Sequence, residues 1–418
     1  MRMGGSGGAG VGVGGQDPGM RRNREVVLSV VAAAYGVSAM GDQMAMVVLV
    51  LRLHDQGQSG AVISALVVAS VLPIVVVGPL AAPLVDRVES GRLVVVATGL
   101  QAVVALGLVV TTNVVGVIVL LALLGAGLAV VSPTLQLLVP EIVGDEGAAR
   151  GYARMETFRS VGNVAGPAAA GLAVAGVGDR VVLLGNVVSY AVMSVAFVAL
   201  RIRREPVSGG RSRPGWPAQV REGVGVLGGD RVLRVAIPTL AVAVVFTAIL
   251  HVARVFFVRD DLGADDTGYG WLVSAHMAGM LLAAALLAGR IPVGRQPAVL
   301  IGAGMLSGGC LLISATVAVF AVAVVMFVLM GVANVLANLA IRNLIHARVP
   351  PETRGRAFAT SSAGLNAANL TGAALGGPAA SALGGTGALQ LAGAGTLAVS
   401  LAAIPLLSHH LAAEPAAE

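Results

Sequence analysis

Four ionisable side chains lie inside long apolar stretches of the chain. Asp42 is the only carboxylate in such a stretch, whereas His251 and Arg254 share a second stretch and His276 lies in the next one. Ionisable groups at this depth are costly, so they normally face a cavity or one another. We expect Asp42 to exchange a proton, with His251 or Arg254 as its partner. Each residue has an alternative role. Asp42 could belong to a static charge pair, Arg254 could extend to the lipid headgroups, and His276 could serve only in packing.

Amide and thioether side chains form a second candidate group, which could line a cavity. Thioethers repack around varied ligands, whereas amides in membrane helices often serve only as interhelical hydrogen bonds. With aromatics at 3% of residues, an apolar or amphiphilic ligand is favoured over a sugar. The candidate cavity residues are Met40, Gln43, Met44, Gln136, Asn163, His276, Asn334 and Asn338, with Asn186, Asn366 and Asn369 as further amides.

The elements that must position these residues are membrane-spanning helices. Of 418 residues, 56% are hydrophobic and 11% are charged, and runs of about 20 apolar residues, enough to cross a bilayer as a helix, recur throughout. Lipid tolerates helices or closed barrels, and these runs are too long for barrel strands. The sequence predicts an all-α membrane protein of twelve transmembrane helices. The predicted spans are 26–51, 60–84, 93–112, 114–138, 160–178, 181–200, 235–257, 269–289, 297–317, 318–340, 357–383 and 387–407.

The arginines predict the orientation of these helices. All 27 basic residues are arginine, and cytoplasmic loops retain positive charge during insertion. With the N-terminus inside, every arginine except Arg52, Arg180, Arg254 and Arg259 falls on the cytoplasmic side. We therefore expect both termini in the cytoplasm and a location in the bacterial cytoplasmic membrane.

Similar features recur in the two halves at nearly constant spacing. Gly60 and Gly268 begin the second and eighth predicted helices, and Arg-x-x-x-Gly-Arg follows the eighth helix much as a related pattern follows the second. This predicts two six-helix bundles as a parallel repeat, with a substrate site between them. The expected parts are a disordered N-terminal tail (1–24), a first bundle (25–203), a flexible cytoplasmic linker (204–234), a second bundle (235–408) and a C-terminal tail (409–418).

The loop after the second predicted helix carries a charged pattern formed by Asp86, Arg87, Gly91 and Arg92. The pattern resembles the loop signature of the major facilitator superfamily, and the likeness covers about residues 25–408. The resemblance implies the two-bundle fold of that family and a role for this loop in conformational change.

The fifth predicted helix contains Gly162, Gly166, Pro167 and Gly171. This spacing is similar to the antiporter signature of the drug:proton antiporter branch, which includes macrolide and siderophore exporters. Small residues four apart allow close helix approach, and a proline bends a helix. The resemblance implies export and a conformational role for these residues, although ordinary glycine packing would explain them too.

These observations together predict a secondary active transporter, most simply a proton-coupled exporter of a small apolar or amphiphilic molecule. A proton-linked importer and a non-transporting membrane sensor are the alternatives. The chain has no phosphate-binding GxxxxGK[ST] sequence and no metal-ligand spacing, so we expect no enzyme activity, no cofactor and no metal. The expected partners are the substrate, protons and the bilayer, with no nucleic acid, and the expected state is a monomer.

Overall fold

The structure is a computed structural model that describes residues 18–202, 216–287, 290 and 293–412. These residues are almost entirely helical, because a backbone in lipid must satisfy its hydrogen bonds internally. The first six helices are α1 (Pro18–Asp55), α2 (Gly60–Arg87), α3 (Ser90–Val110), α4 (Val114–Val143), α5 (Asp145–Val177) and α6 (Asp179–Leu200). Those that follow are α7 (Trp216–Gly229), α8 (Leu233–Ala248), α9 (Leu250–Phe256), a π-helical turn (Phe257–Asp261), α10 (Asp266–Leu287), a 3₁₀ turn (Val293–Arg295), α11 (Gln296–Val317), α12 (Phe320–Arg348) and α13 (Pro351–Ala412).

The number of membrane crossings depends on how the last helix is divided. Eleven helical segments of the described chain are long and apolar enough to cross a membrane, and α8, α9 and the π-helical turn form one of them. The last segment has 57 residues, and an unbroken helix of that length would span about 85 Å. It is interrupted at Gly384, whose φ of 71° and ψ of 179° are not helical. The predicted spans 357–383 and 387–407 flank this residue, so the twelve-helix architecture is confirmed.

We expect Gly384→Ala to destabilise the protein. A Cβ in this region of conformational space costs about 1–3 kcal/mol, although nothing within 4 Å would obstruct it. The purified variant should therefore show a lower midpoint of thermal unfolding in detergent. Gly302→Ala is the matched control, because Gly302 is helical, exposed and unobstructed; alanine there should be neutral or slightly stabilising. Equal midpoints for the two variants would contradict the expectation.

Two helical regions extend beyond what hydropathy predicts. α5 begins at Asp145 rather than near residue 160, because its charged first turns remain helical outside the apolar run. Within the predicted linker, α7 packs against α13, where Arg356 pairs with Glu222 at 2.7 Å. The glycine- and serine-rich part of the linker, residues 204–215, lies outside the described residues, as do most of the two tails.

The buried side chains form three clusters that define the shape of the molecule. One cluster belongs to α1–α6 alone and includes Leu28 and Leu138, and a second belongs to α7–α13 and includes Leu240 and Leu344. Both lie toward the end of the molecule that carries most arginines, which we call the arginine face. The third cluster draws residues from both bundles near the other end, which we call the opposite face. The two bundles therefore share a core on one side of the membrane region and have separate cores on the other.

Close backbone contacts join the bundles on the side of the opposite face. Where α2 meets α13, the Ser64 hydroxyl donates to the Ala373 carbonyl and accepts from the Gly377 amide, both at 2.7 Å. Where α5 meets α10, the Ser274 hydroxyl donates to the Val164 carbonyl at 2.7 Å and accepts from the Ala168 amide at 2.9 Å. We call these two contact regions the seam, and they seal the molecule from the opposite face to its middle.

Candidate functional site

Asp42 lies in the first bundle, where α1 approaches α6. Gly41 allows this approach, since a Cβ there would overlap Asn186 and Ser189 of α6. The Tyr190 hydroxyl donates a hydrogen bond to Oδ1 of Asp42. Asn186 is close enough to affect the electrostatic environment of Asp42, while its Nδ2 has no hydrogen-bond partner in the described part of the chain. A carboxylate is thus held by a phenol inside a helical bundle.

The predicted pairing of Asp42 with His251 or Arg254 is not the arrangement seen in this structure. The described hydrogen-bond partner of Asp42 is Tyr190, in its own bundle, whereas the amide of Asn369 lies 3.5 Å from Nε2 of His251. The short side chain of Asp42 is turned toward α6 by the packing at Gly41. Tyr190 was not selected from the sequence, because a single tyrosine inside an apolar span does not look exceptional. The one available signal was its rarity, since the chain has only four tyrosines.

Two adjoining cavities in the first bundle share Asp42 and Gln43 in their walls. The larger, of about 520 Å³, is also lined by Asn163 and Arg159, and the smaller, of about 210 Å³, reaches Asn186 and Tyr190. The larger reaches Tyr35, which packs against the first bundle's own core, whereas the smaller reaches Leu121 and Leu124 of the core that the two bundles share. Of the predicted cavity residues in this bundle, Gln43 and Asn163 line these walls, whereas Met40, Met44 and Gln136 do not. Met44 packs against the shared core instead.

A third cavity, of about 270 Å³, lies in the second bundle between α8, α9, α10, α11, α12 and α13. His251 of α9 and His276 of α10 both line it. Along one helix face, Nδ2 of Asn338 donates to the main-chain carbonyl of Asn334 at 2.8 Å and lies 3.2 Å from Oδ1 of the Asn334 side chain. Hydroxyls that sequence reasoning did not single out complete the polar wall, namely Thr239, Thr247, Ser307, Thr396 and Ser400.

Arg254 lies one helical turn beyond His251, toward the opposite face. Its side chain is buried, with 8% of the residue exposed, and its guanidinium carbon is 5.8 Å from the centre of the Tyr269 ring. Such a distance permits a cation–π interaction. The alternative in which Arg254 reaches the lipid headgroups is therefore not the arrangement in this structure.

The glycine–proline segment of α5 serves two interfaces. A Cβ at Gly162 would overlap the Gly36 carbonyl, and one at Gly166 would lie 2.9 Å from the Met40 carbonyl, so both glycines pack against α1. Pro167 and Gly171 instead face α10 across the seam, where a Cβ at Gly171 would lie 2.5 Å from the Asp266 carbonyl. The segment thus links the packing of its own bundle to the contact between bundles.

The charged loop predicted to take part in conformational change lies at the arginine face. Asp86 and Arg87 end α2, while Gly91 and Arg92 belong to the first turn of α3. Arg87 and Arg92 are exposed and Gly91 is buried; the side chain of Asp86 lies outside the described residues. The role of this loop stays a prediction.

Ion pairs between the bundles reinforce the seam at the opposite face, and the sequence did not indicate them. Arg259 of the π-helical turn pairs with Asp55 of α1 at 3.0 Å, and Nε2 of His54 lies 3.1 Å from Asp260. Because these side chains are partly exposed, each pair contributes no more than about 1 kcal/mol. The main closure is the backbone packing of the seam.

Two helical bundles with polar cavities that end at a sealed interface are typical of a membrane transporter that exposes its site to one side at a time. Two segments, residues 31–257 and 252–417, match the family model of the Major Facilitator Superfamily. The chain belongs to that superfamily and is a multi-pass membrane transporter. No curated protein shows significant sequence similarity to it.

Solved transporters share this fold at low sequence identity. A peptide transporter, POT, has a TM-score of 0.73 and 15% identity, with 96% of each chain covered. The nucleoside transporter NupG, as a point mutant, has a TM-score of 0.72 and 11% identity, with 93% of this chain and 99% of that chain covered. A bacterial homolog of the human lysosomal transporter Spinster has a TM-score of 0.64 and 15% identity, with 95% and 96% covered. At these identities the likeness shows the fold alone.

Proposed function

We propose that this protein exports a small apolar or amphiphilic molecule in exchange for protons, by alternating access. The observation that carries the proposal is the position of Asp42. It is the one carboxylate among the described residues that line the three cavities. Tyr190 holds it at the shared wall of two of them. A carboxylate within a membrane helix that borders a cavity is a typical proton-binding group.

The arrangement of the cavities supports alternating access. The cavity of the second bundle is lined by Leu240 and Leu300 of that bundle's own core, and the larger cavity of the first bundle by Tyr35, which packs against the core of the first bundle. The two bundles are apart at the arginine face, where their cores are separate. A rocking motion of the bundles would open the seam and bring the two bundles together at the arginine face. The cavities would then be accessible from the other side of the membrane. We place the arginine face, with both termini, in the cytoplasm of a bacterial cell because of the distribution of arginines.

The direction of transport is proposed from α5. Its glycine–proline segment has the spacing of the antiporter signature, and in this structure it packs against α1 and across the seam. A single segment that contacts both interfaces suits a carrier that couples them. The bound molecule would contact the apolar walls and the amides of the cavities, and the transporter would act as a monomer without a cofactor.

Everted membrane vesicles that contain the overproduced protein test the proposal directly. Respiration acidifies their interior, so an exporter that exchanges its cargo for protons should accumulate an amphiphilic fluorescent probe inside them. Nigericin, which collapses the pH difference, should release the probe. Vesicles without the protein are the control.

The direction of movement separates the alternatives. Accumulation by right-side-out vesicles instead would indicate an importer. If no probe of a broad apolar and amphiphilic panel moved in either preparation while the protein remained folded, the proposed function would be wrong.

A further inference from the structure

The second bundle contains a buried cation for which no described residue supplies an anion. Arg254 is 8% exposed, its Nε has no hydrogen-bond partner, and it is absent from every ion pair of the described residues. Its guanidinium lies over the face of the Tyr269 ring, at a distance that permits a cation–π interaction. Buried charges are normally paired, since an unpaired one costs several kcal/mol. The guanidinium therefore lacks the partner that its burial calls for.

Two histidines of the second bundle lie in the wall of its cavity. His251 and His276 are lining residues, and Arg254, which does not itself line the cavity, lies one helical turn from His251. Nδ1 of His276 is buried without a hydrogen-bond partner among the described residues. One N–H of His276 donates to the Phe327 backbone, so Nδ1 donates to a bound anion when the ring carries a second proton. The cavity thus has two imidazoles in its wall and a fixed positive charge one helical turn away.

The rest of the same cavity complements these groups. Its described lining contains no Asp or Glu, and it includes the apolar side chains of Leu240, Leu300 and Met330. Asp42, the carboxylate that could have neutralised Arg254, lies in the other bundle with Tyr190 as its partner. A ligand with an acidic head and an apolar body matches both the charge and the shape of this cavity.

We infer that the cargo carries an acidic group, a carboxylate or a comparable anion, which binds at Arg254, His251 and His276 while its apolar part lies along the cavity of the second bundle. The inference rests on the proposed transport function and names its substrate class. Charge-assisted hydrogen bonds to a guanidinium are short, strong and directional. An anion seated there would satisfy the buried cation during the part of the cycle that this structure represents.

Three small molecules that differ only in their head group test the inference. Phenylbutyrate, phenylbutanol and phenylbutylamine share one apolar body and carry an anionic, a neutral and a cationic head. Titrated into the purified wild-type protein in detergent, phenylbutyrate should bind at least about tenfold more tightly than the other two, as expected for one added charge-assisted hydrogen bond. Equal affinities for the three would overturn the inference without the need for any variant.

Substitutions then locate the preference. Arg254→Gln should abolish the tenfold preference for phenylbutyrate while leaving phenylbutanol binding within about twofold, and Arg254→Lys should retain much of it. Arg259→Gln is the matched control, because Arg259 belongs to the neighbouring turn and already has carboxylate partners in Asp55 and Asp266. If Arg254→Gln kept the preference for phenylbutyrate, or if Arg259→Gln lost it, the assignment of the anion site to Arg254 would be wrong. Thermal unfolding of each variant verifies that it is folded.

The binding result is independent of the transport result. Head-group selectivity without proton-dependent movement of any probe would leave the anion site standing and contradict the proposed function. Proton-dependent transport of all three probes at equal rates would support the function and overturn the inference. Loss of proton coupling in Arg254→Gln with anion preference intact would also overturn it, because Arg254 would then act on Asp42 rather than on the cargo.

Discussion

Asp42→Asn is expected to abolish uphill transport while leaving downhill movement of the cargo intact. Asparagine preserves the shape of the side chain and can accept the Tyr190 hydrogen bond, but it cannot bind and release a proton. In a one-for-one exchange, a pH difference of about one unit supports about tenfold accumulation of cargo, since each tenfold ratio corresponds to about 1.4 kcal/mol. The variant should lose that tenfold accumulation in everted vesicles and still equilibrate the probe.

The matched control for this prediction is Asp179→Asn. Asp179 is a carboxylate of the same bundle, but it pairs with Arg52 at 2.7 Å near the opposite face, away from the cavities. Its replacement should leave accumulation nearly unchanged, and Asp42→Glu should restore part of the coupling. Undiminished accumulation by Asp42→Asn would exclude proton exchange at this residue.

Gly377→Leu is expected to stop the transport cycle by preventing closure at the opposite face. A Cβ at Gly377 would overlap the Gly60 carbonyl, and it would lie 2.6 Å from the Ser64 hydroxyl oxygen. Overpacking of this kind costs about 1–3 kcal/mol, so the ratio of sealed to open molecules should fall about 5- to 140-fold. Transport should be lost although the protein remains in the membrane.

Cysteine labelling measures this shift in population. In a variant without Cys310, a cysteine in place of Asn163 would report access to the cavity of the first bundle. A membrane-impermeant maleimide applied from the opposite face should label it faster when Gly377→Leu is present. Gly185→Leu is the control, because Gly185 is exposed and a Cβ there meets nothing within 4 Å. Unchanged labelling and transport in Gly377→Leu would contradict the importance of the seam.

Most of the fold was predictable because the membrane imposes a length and a polarity on each crossing. Gly384 lies between the predicted spans 357–383 and 387–407, and the boundary between the predicted spans 297–317 and 318–340 agrees with α11 ending at Val317. Hydropathy could not find the first turns of α5, because it detects the lipid-facing part of a helix rather than the helix itself. Hydropathy did not predict α7 for the same reason, and contact with α13 contributes to the stability of this helix.

The candidate site was predictable only in part. Polar residues inside apolar spans could be selected from the sequence, and Gln43, Asn163, His276 and the two amides of α12 lie in the walls of cavities, although their role in substrate binding stays a prediction. Their partners could not be predicted, because the hydrogen bond between Tyr190 and Asp42 joins residues 148 positions apart. His251 or Arg254 was the expected partner of Asp42, yet its hydrogen bond is to Tyr190 of its own bundle.

The composition of the seam has a consequence for speed. Where α2 meets α13, the bundles touch through glycine backbones and a serine hydroxyl rather than through long interlocked side chains. Such surfaces can separate without a change of side-chain rotamer, and water can replace the few hydrogen bonds that are broken. We therefore expect a low barrier to opening and to closing of the seam. A modest difference in ligand affinity between the sealed and the open state is then enough to shift their populations.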